Sequence, residues 1–282
     1  MILRVYLFFL CVIIIIFAIA YVKKSRETVL RVASFFGILN VFCLASILGI
    51  GAIFALVSLI LLLGIYELAK NYKLKYPIIF AIAVAGCYLL MLYFDSSLIY
   101  FIPAFLLLAA LTFAGTLNMI SNPFYVYFLG VLSLAVSAAS LVVLYSINPD
   151  TIWFLIAMLA FNDVTGYFAG RKFGKTLIFK ILSPNKTLEG YIGGLGGLLA
   201  GLILFHTIIP VLAETSLLQN LILLSSIFIF GNAGDLLFSK IKRSVGIKDF
   251  SNFLPGHGGI LDRFDSTLTV SPLLFMFLYS MK

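Results

Sequence analysis

Residues 32–66, VASFFGILNVFCLASILGIGAIFALVSLILLLGIY, run for 35 positions without a charge. A transmembrane helix needs about 20 apolar residues, so the stretch is too long for one span at ordinary tilt and barely long enough for two. Its reading decides on which side of a membrane every later loop falls. Read as a hairpin turning near Gly49 and Gly51, it puts loops 23–31, 67–76, 170–189 and 235–265 on one side, with 4, 3, 5 and 5 Lys or Arg residues. The other side keeps only Arg4 and Lys282. Seventeen against two matches the excess of basic residues in cytoplasmic loops. A single span would instead set Lys23, Lys24, Arg26 and Arg31 across the membrane from the other basic loops. The hairpin is therefore expected, with both termini outside and the basic loops in the cytoplasm.

The rest of the chain is built alike. Of its 282 residues 63% are hydrophobic and 11% charged, and the mean hydropathy is +1.17; soluble proteins carry about a quarter charged residues. Long apolar runs recur where barrel strands would show alternating segments of about ten. The expected fold is all-α, a polytopic transmembrane helical bundle of about ten spans with no soluble domain. The spans are Val5–Val22, Val32–Ile47, Ile50–Tyr66, Pro77–Phe94, Leu98–Leu117, Phe124–Ile147, Thr151–Ala169, Gly190–Ile209, Leu217–Gly234 and Ser266–Met281. They group into an extra N-terminal helix and basic loop (1–30), an N-terminal transmembrane region (31–150) and a catalytic transmembrane region with cytoplasmic loops (151–282). The net charge of +8 follows from this topology, and no nucleic-acid partner is implied.

Arg4, the apolar run and Ala18-Ile19-Ala20 imitate a signal peptide. Cleavage would leave Lys23 and Lys24 outside, against the charge rule, so an uncleaved helix is expected. Cys11, Cys43 and Cys87 lie in apolar spans without metal spacing and read as small packing residues. Gly193, Gly197 and Gly201 fall four apart on one helix face, where small residues let backbones approach.

The carboxylates are more informative. Eight of the eleven, Glu27, Glu67, Asp163, Glu189, Asp235, Asp249, Asp262 and Asp265, fall at or toward the cytoplasmic side. Asp163 lies 12 residues into its span, about 18 Å at 1.5 Å per residue, within hydrocarbon depth. An acid there is a functional candidate; pairing with an arginine for packing is the competing reading. Gly166, Tyr167 and Gly170 complete its face, small enough on average to admit a ligand. Asp235 shares a face with Asn232, Ser239 and Lys242, and Asp262 with Asp265. Clustered carboxylates repel unless a cation lies between them, and hard oxygen donors suit magnesium, usually held by one or two carboxylates plus substrate phosphates.

Lys240, Lys242, Arg243, Lys248 and Arg263 interleave with these acids. Metal-binding carboxylates among cations at a membrane surface describe a phosphate-handling site, where positioning and charge neutralisation do most of the chemistry. Gly256, Gly258 and Gly259 would let backbone amides approach phosphate oxygens; a plain re-entrant turn is the alternative. Residues 170–176, GRKFGKT, imitate a P-loop, but three residues separate the glycines where four are required, and a membrane helix precedes them. Their cations remain candidates for lipid headgroups or nucleotide phosphates.

The run Ser239-Lys240-Ile241-Lys242-Arg243, then Lys248-Asp249, then PGHGGILDRFD at 255–265, closely resembles the signature of phosphatidate cytidylyltransferases (CDP-diacylglycerol synthases). Gly234-Asp235, SPNKTLEG at 183–190 and Asn162-Asp163 with Gly170 and Phe173-Gly174 extend the match, which covers about residues 30–282. The resemblance implies a polytopic, dimeric enzyme of the cell membrane that joins CTP to phosphatidate, releasing pyrophosphate and leaving CDP-diacylglycerol among the membrane lipids. It implies a site open to the cytoplasm, with aspartate-bound magnesium and potassium implicated beside it. Asp235, Asp262, Asp265, Lys248 and Asp249 are expected to carry the chemistry, with metal at Asp235, Asp262 and Asp163. Asn162, Lys186, Ser239, Lys242, Arg243, His257, Gly258 and Arg263 are expected to contact substrate. The chain departs from the family at Phe238, where many members have Glu, at Phe250-Ser251, where they have Ser-Gly, and at Leu188, where they have Trp. A CTP-dependent polyprenol or dolichol kinase and a transporter are the rival readings.

Overall fold

Gly49 separates two helices, α1 (Arg26–Leu48) and α2 (Ile50–Tyr72). Its φ of 95° lies in the left-handed region that glycine enters without steric cost, and its amide still closes the last turn of α1 on Ala45 O at 3.1 Å. The two helices pack on each other. The charge-free stretch is thus two helices broken at one glycine, as the distribution of Lys and Arg requires.

The computed structural model describes residues 26–72, 86, 123–179, 183–206, 215–254 and 258–279. Five further helices follow: α3 (Pro123–Ile147), α4 (Asp150–Phe173), α5 (Leu188–His206), α6 (Leu217–Ser244) and α7 (Leu261–Tyr279). Among the described residues there is no strand beyond two isolated bridges, Leu177 with Thr187 and Leu254 with Gly258. Among the described residues, five helices are long and apolar enough to cross a membrane: α2, the Gly130–Ile147 part of α3, α4, the Leu188–Phe205 part of α5, and α6. The chain is a multi-pass helical membrane protein.

The described residues do not support ten spans. The expected spans at 5–22, 77–94 and 98–117 lie outside them. α1 contributes only the shorter apolar run Ala33–Leu48. α7 opens with Asp262, Arg263 and Asp265, and it is not among the five.

α4 and α5 share the most extensive contact, and glycine makes it possible. A side chain at Gly194 would meet Asn162 Oδ1 at 2.7 Å and one at Gly166 would meet Gly190 O at 3.1 Å, while Gly193 and Gly197 lie against Ala169 and Thr165. With little hydrophobic drive between helices in lipid, such close approach supplies the dispersion contact that joins them. On the far side, Trp153 is fully buried and donates Nε1–H to Ser46 Oγ at 3.3 Å, while the Tyr145 hydroxyl donates to Ser46 O at 2.8 Å, tying α1, α3 and α4 together. Ser137 and Ser271 link α3 and α7 through each other's helices. α6 begins with a capping box, Ser216 and Gln219 each accepting the other's backbone N–H. α7 packs on α3, α4 and α6, which brings its first turn beside the ends of α4 and α6.

Candidate functional site

Helical spacing sets Asn162, Asp163, Gly166, Tyr167 and Gly170 along one side of α4, and all five line a cavity of ≈ 550 Å³. α6 contributes Asn232 and Asp235, and α7 contributes Asp262, Arg263 and Asp265. Four carboxylates, Asp163, Asp235, Asp262 and Asp265, therefore line one space from three helices. Asn162 donates Nδ2–H to Asp163 Oδ1 at 3.1 Å, orienting that acid. Arg171, on the rim, donates to the Tyr167 hydroxyl at 3.1 Å.

Lys186 enters from the segment between α4 and α5. That segment is folded back by paired backbone bonds, Ile178 N to Lys186 O at 3.2 Å and Leu188 N to Thr176 O at 2.9 Å. The Lys186 ammonium forms an ion pair with Asp235 and lies 5.5 Å from the centroid of the Tyr191 ring. Burial works against its charge, but the neighbouring Asp235 carboxylate outweighs that and raises its pKa above the usual lysine value. The amides of Lys175 and Thr176, in the P-loop imitation, donate to Glu189 Oε2 at 3.1 and 3.2 Å. The acceptor for those amides is the chain's own carboxylate.

The Cytidylyltransferase family matches this chain over residues 29–281. The chain belongs to the cytidylyltransferase family. The uncharacterized protein YnbB of Escherichia coli is 32% identical over 269 residues, covering 91% of this chain and 89% of that protein. The phosphatidate cytidylyltransferase of Bacillus subtilis is 41% identical over 129 residues, 45% of this chain and 46% of its own. That of Aquifex aeolicus is 39% identical over 142 residues, 49% and 52%. The chain thus matches about half the length of these two phosphatidate cytidylyltransferases.

Within this cytidylyltransferase-family chain, the other expected site residues lie in different surroundings. Asp262 borders the cavity, but its carboxylate is occupied by protein donors. Lys242 Nζ meets Oδ1 at 2.7 Å, and the amides of Phe250 and Gly259 both meet Oδ2 at 2.8 Å. Lys242 is thereby turned to Asp262, with its ammonium 5.7 Å from the Phe250 ring centroid. Ser239 is half-buried on α6 and does not line the cavity. Arg243 is exposed and donates to Ile247 O at 3.0 Å. Lys248 and Asp249 are exposed on the loop after α6. Gly258 has φ 84°, exchanges backbone hydrogen bonds with Leu254, and lies directly against Asp262. His257 lies outside the described residues.

Two departures from the family pattern meet in space. Phe238 and Phe250 form an edge-to-face pair with centroids 6.1 Å apart, both buried. Sequence reasoning missed Glu67, which is 3% exposed. It accepts hydrogen bonds from Ser251 Oγ at 2.6 Å, Ile260 N at 2.9 Å and Leu261 N at 3.0 Å. The available signal was a lone carboxylate near the end of an otherwise apolar helix, four residues before Asn71.

Proposed function

We propose that the chain is a phosphatidate cytidylyltransferase of the cell membrane, transferring CMP from CTP to phosphatidate at a site open to the cytoplasm, and working as a homodimer. The observation that supports it most is the cavity shared by α4, α6 and α7, with four carboxylates and the cations Arg171, Lys186 and Arg263 about one space. A volume of this size is in the range of small-ligand sites, roughly 300–1,000 Å³. The similar phosphatidate cytidylyltransferases of Bacillus subtilis and Aquifex aeolicus support the same reading.

A phosphate oxygen of phosphatidate, already anionic near neutral pH, attacks the α-phosphorus of CTP. The bond from that phosphorus to the oxygen bridging to the β-phosphate breaks, and pyrophosphate leaves with the electron pair. Lys186, Arg171 and Arg263 bind and orient the phosphates, and no base is needed to make the nucleophile. Asp163, Asp235 and Asp265 present hard oxygens to the cavity, and among the described residues no group of three or more His, Cys, Asp or Glu stands close enough together to hold a metal ion alone, so magnesium there would be held by one or two of these carboxylates. Magnesium favours such open sets, completed by substrate phosphates and water. When bound, it supplies charge neutralisation on the nucleotide. Asp163, Asp235 and Asp265 line the cavity from three helices, and Asp262 lines it with its carboxylate already bonded to Lys242 and two backbone amides.

The test is purified full-length protein with CTP, phosphatidate and magnesium, with both products identified. Pyrophosphate and a CDP-lipid, absent with EDTA, are expected. Release of CDP with a phosphorylated lipid alcohol would overturn the assignment in favour of a lipid kinase.

A further inference from the structure

Glu67 and Asn71 stand one turn apart near the end of α2, and neither lines the cavity. A buried carboxylate is costly unless donors surround it. The three donors to Glu67 come from the loop between α6 and α7 and from the start of α7. Helix starts leave amides without intrahelical partners and carry partial positive charge, and Glu67 satisfies those of Ile260 and Leu261 from another helix. Gly259 makes room for it, because a side chain there would lie 2.6 Å from both carboxylate oxygens. Asn71 donates Nδ2–H to Phe250 O at 2.8 Å. The Phe250 peptide is therefore bridged, its carbonyl to Asn71 and its amide to Asp262.

We infer that Glu67 and Asn71 form a clamp that fixes both ends of the 250–261 loop on α2 and so sets where the first turn of α7 holds Asp265 and Arg263 against the cavity. They are positioning residues, acting through α7 without contact with either substrate. The inference rests on reading that cavity as the site of cytidylyl transfer. Asp265 lies one turn beyond Leu261, so a shift at the start of α7 passes directly into the carboxylate set.

The full chain is compared with Glu67→Gln, Asn71→Ala and, as a remote control, Ser46→Ala, reading amide exchange by peptide, melting, and kcat and KM for CTP. Gln keeps one acceptor oxygen where the two helix amides and Ser251 need two. Glu67→Gln is expected to speed exchange in 250–265, to leave 188–206 unchanged, and to lower kcat by about 10- to 100-fold, the range for outer-shell changes, with little change in KM. Asn71→Ala is expected to do the same to a smaller extent, which keeps the test open if Glu67→Gln folds poorly. Ser46→Ala is expected to lower melting alone. Unchanged exchange in 250–265 would overturn the clamp, and faster exchange with undiminished kcat would overturn its positioning role. An equal loss of kcat in Ser46→Ala would do so too, by showing general destabilisation. If the wild type makes no CDP-lipid from phosphatidate, the functional reading fails separately, and the exchange result still decides the clamp.

Discussion

Asp262 and Asp265 stand three residues apart on α7, yet their surroundings differ. The Asp262 carboxylate receives an ammonium and two backbone amides, all from the protein. Asp265 bonds the amide and hydroxyl of Ser266 next to it, at 2.6 and 3.3 Å, and joins Asp163 and Asp235 around the cavity. All four acids line the cavity, but the Asp262 carboxylate, like that of Glu67, is bonded by donors from the 250–261 loop and the start of α7, whereas Asp265, Asp163 and Asp235 form the set proposed to meet a ligand. Whether an acid acts on structure or on substrate depends on how many of its lone pairs the fold has already filled.

The largest expected effect falls on the set proposed to meet a ligand. Asp235→Asn keeps size but removes a negative charge from the proposed magnesium set. Its kcat/KM is expected to fall by more than the roughly 10- to 100-fold typical of outer-shell changes, with melting near that of the wild type and the magnesium requirement shifted upward. Near-normal turnover with unchanged magnesium dependence would remove Asp235 from that set and break the contrast.

Asp262→Asn should behave differently. Three donors converge on its two oxygens, and an amide offers one oxygen and turns an N–H toward a donor. Lys242 would lose the partner of a largely buried ion pair, a change worth about 3 kcal/mol at the lower end for such pairs. Lower melting and faster exchange in 250–265 are expected, with an activity loss smaller than that of Asp235→Asn. Normal melting combined with complete loss of activity would place Asp262 beside Asp235 as a metal ligand, as the resemblance implied, and the contrast would dissolve.

The parts legible in the sequence were those governed by local spacing and by charge balance. The hairpin at Gly49 followed from run length and from the sidedness of Lys and Arg. The face Asp163, Gly166, Tyr167 and Gly170 followed from 3.6 residues per turn, and the glycine face of α5 from its four-residue spacing. Hidden parts depend on partners far along the chain. Residues three apart on a helix point about 60° from one another, so spacing could not say which of Asp262 and Asp265 would be bonded by Lys242 and distant backbone amides. Glu67 finds its donors 184, 193 and 194 positions away. Phe238 and Phe250 looked like independent departures until the loop folded back on α6.

The smallest effect expected tests whether the end of α2 acts through its charge or merely through packing. Tyr72, one residue beyond Asn71, shares a 3.2 Å hydrogen bond with Ser244 Oγ at the end of α6. It therefore joins α2 to the same neighbourhood as the clamp, but through a neutral, partly buried pair with the end of α6. A hydrogen bond of this kind contributes about 0.5–1.5 kcal/mol, and phenylalanine keeps the ring that buries Tyr72. Tyr72→Phe is expected to lower melting slightly and to leave kcat, KM for CTP and exchange in 250–265 unchanged. Should it slow turnover as much as Glu67→Gln does, the whole end of α2 would be acting as one packed unit, and the particular role of the Glu67 carboxylate at the start of α7 would have no support.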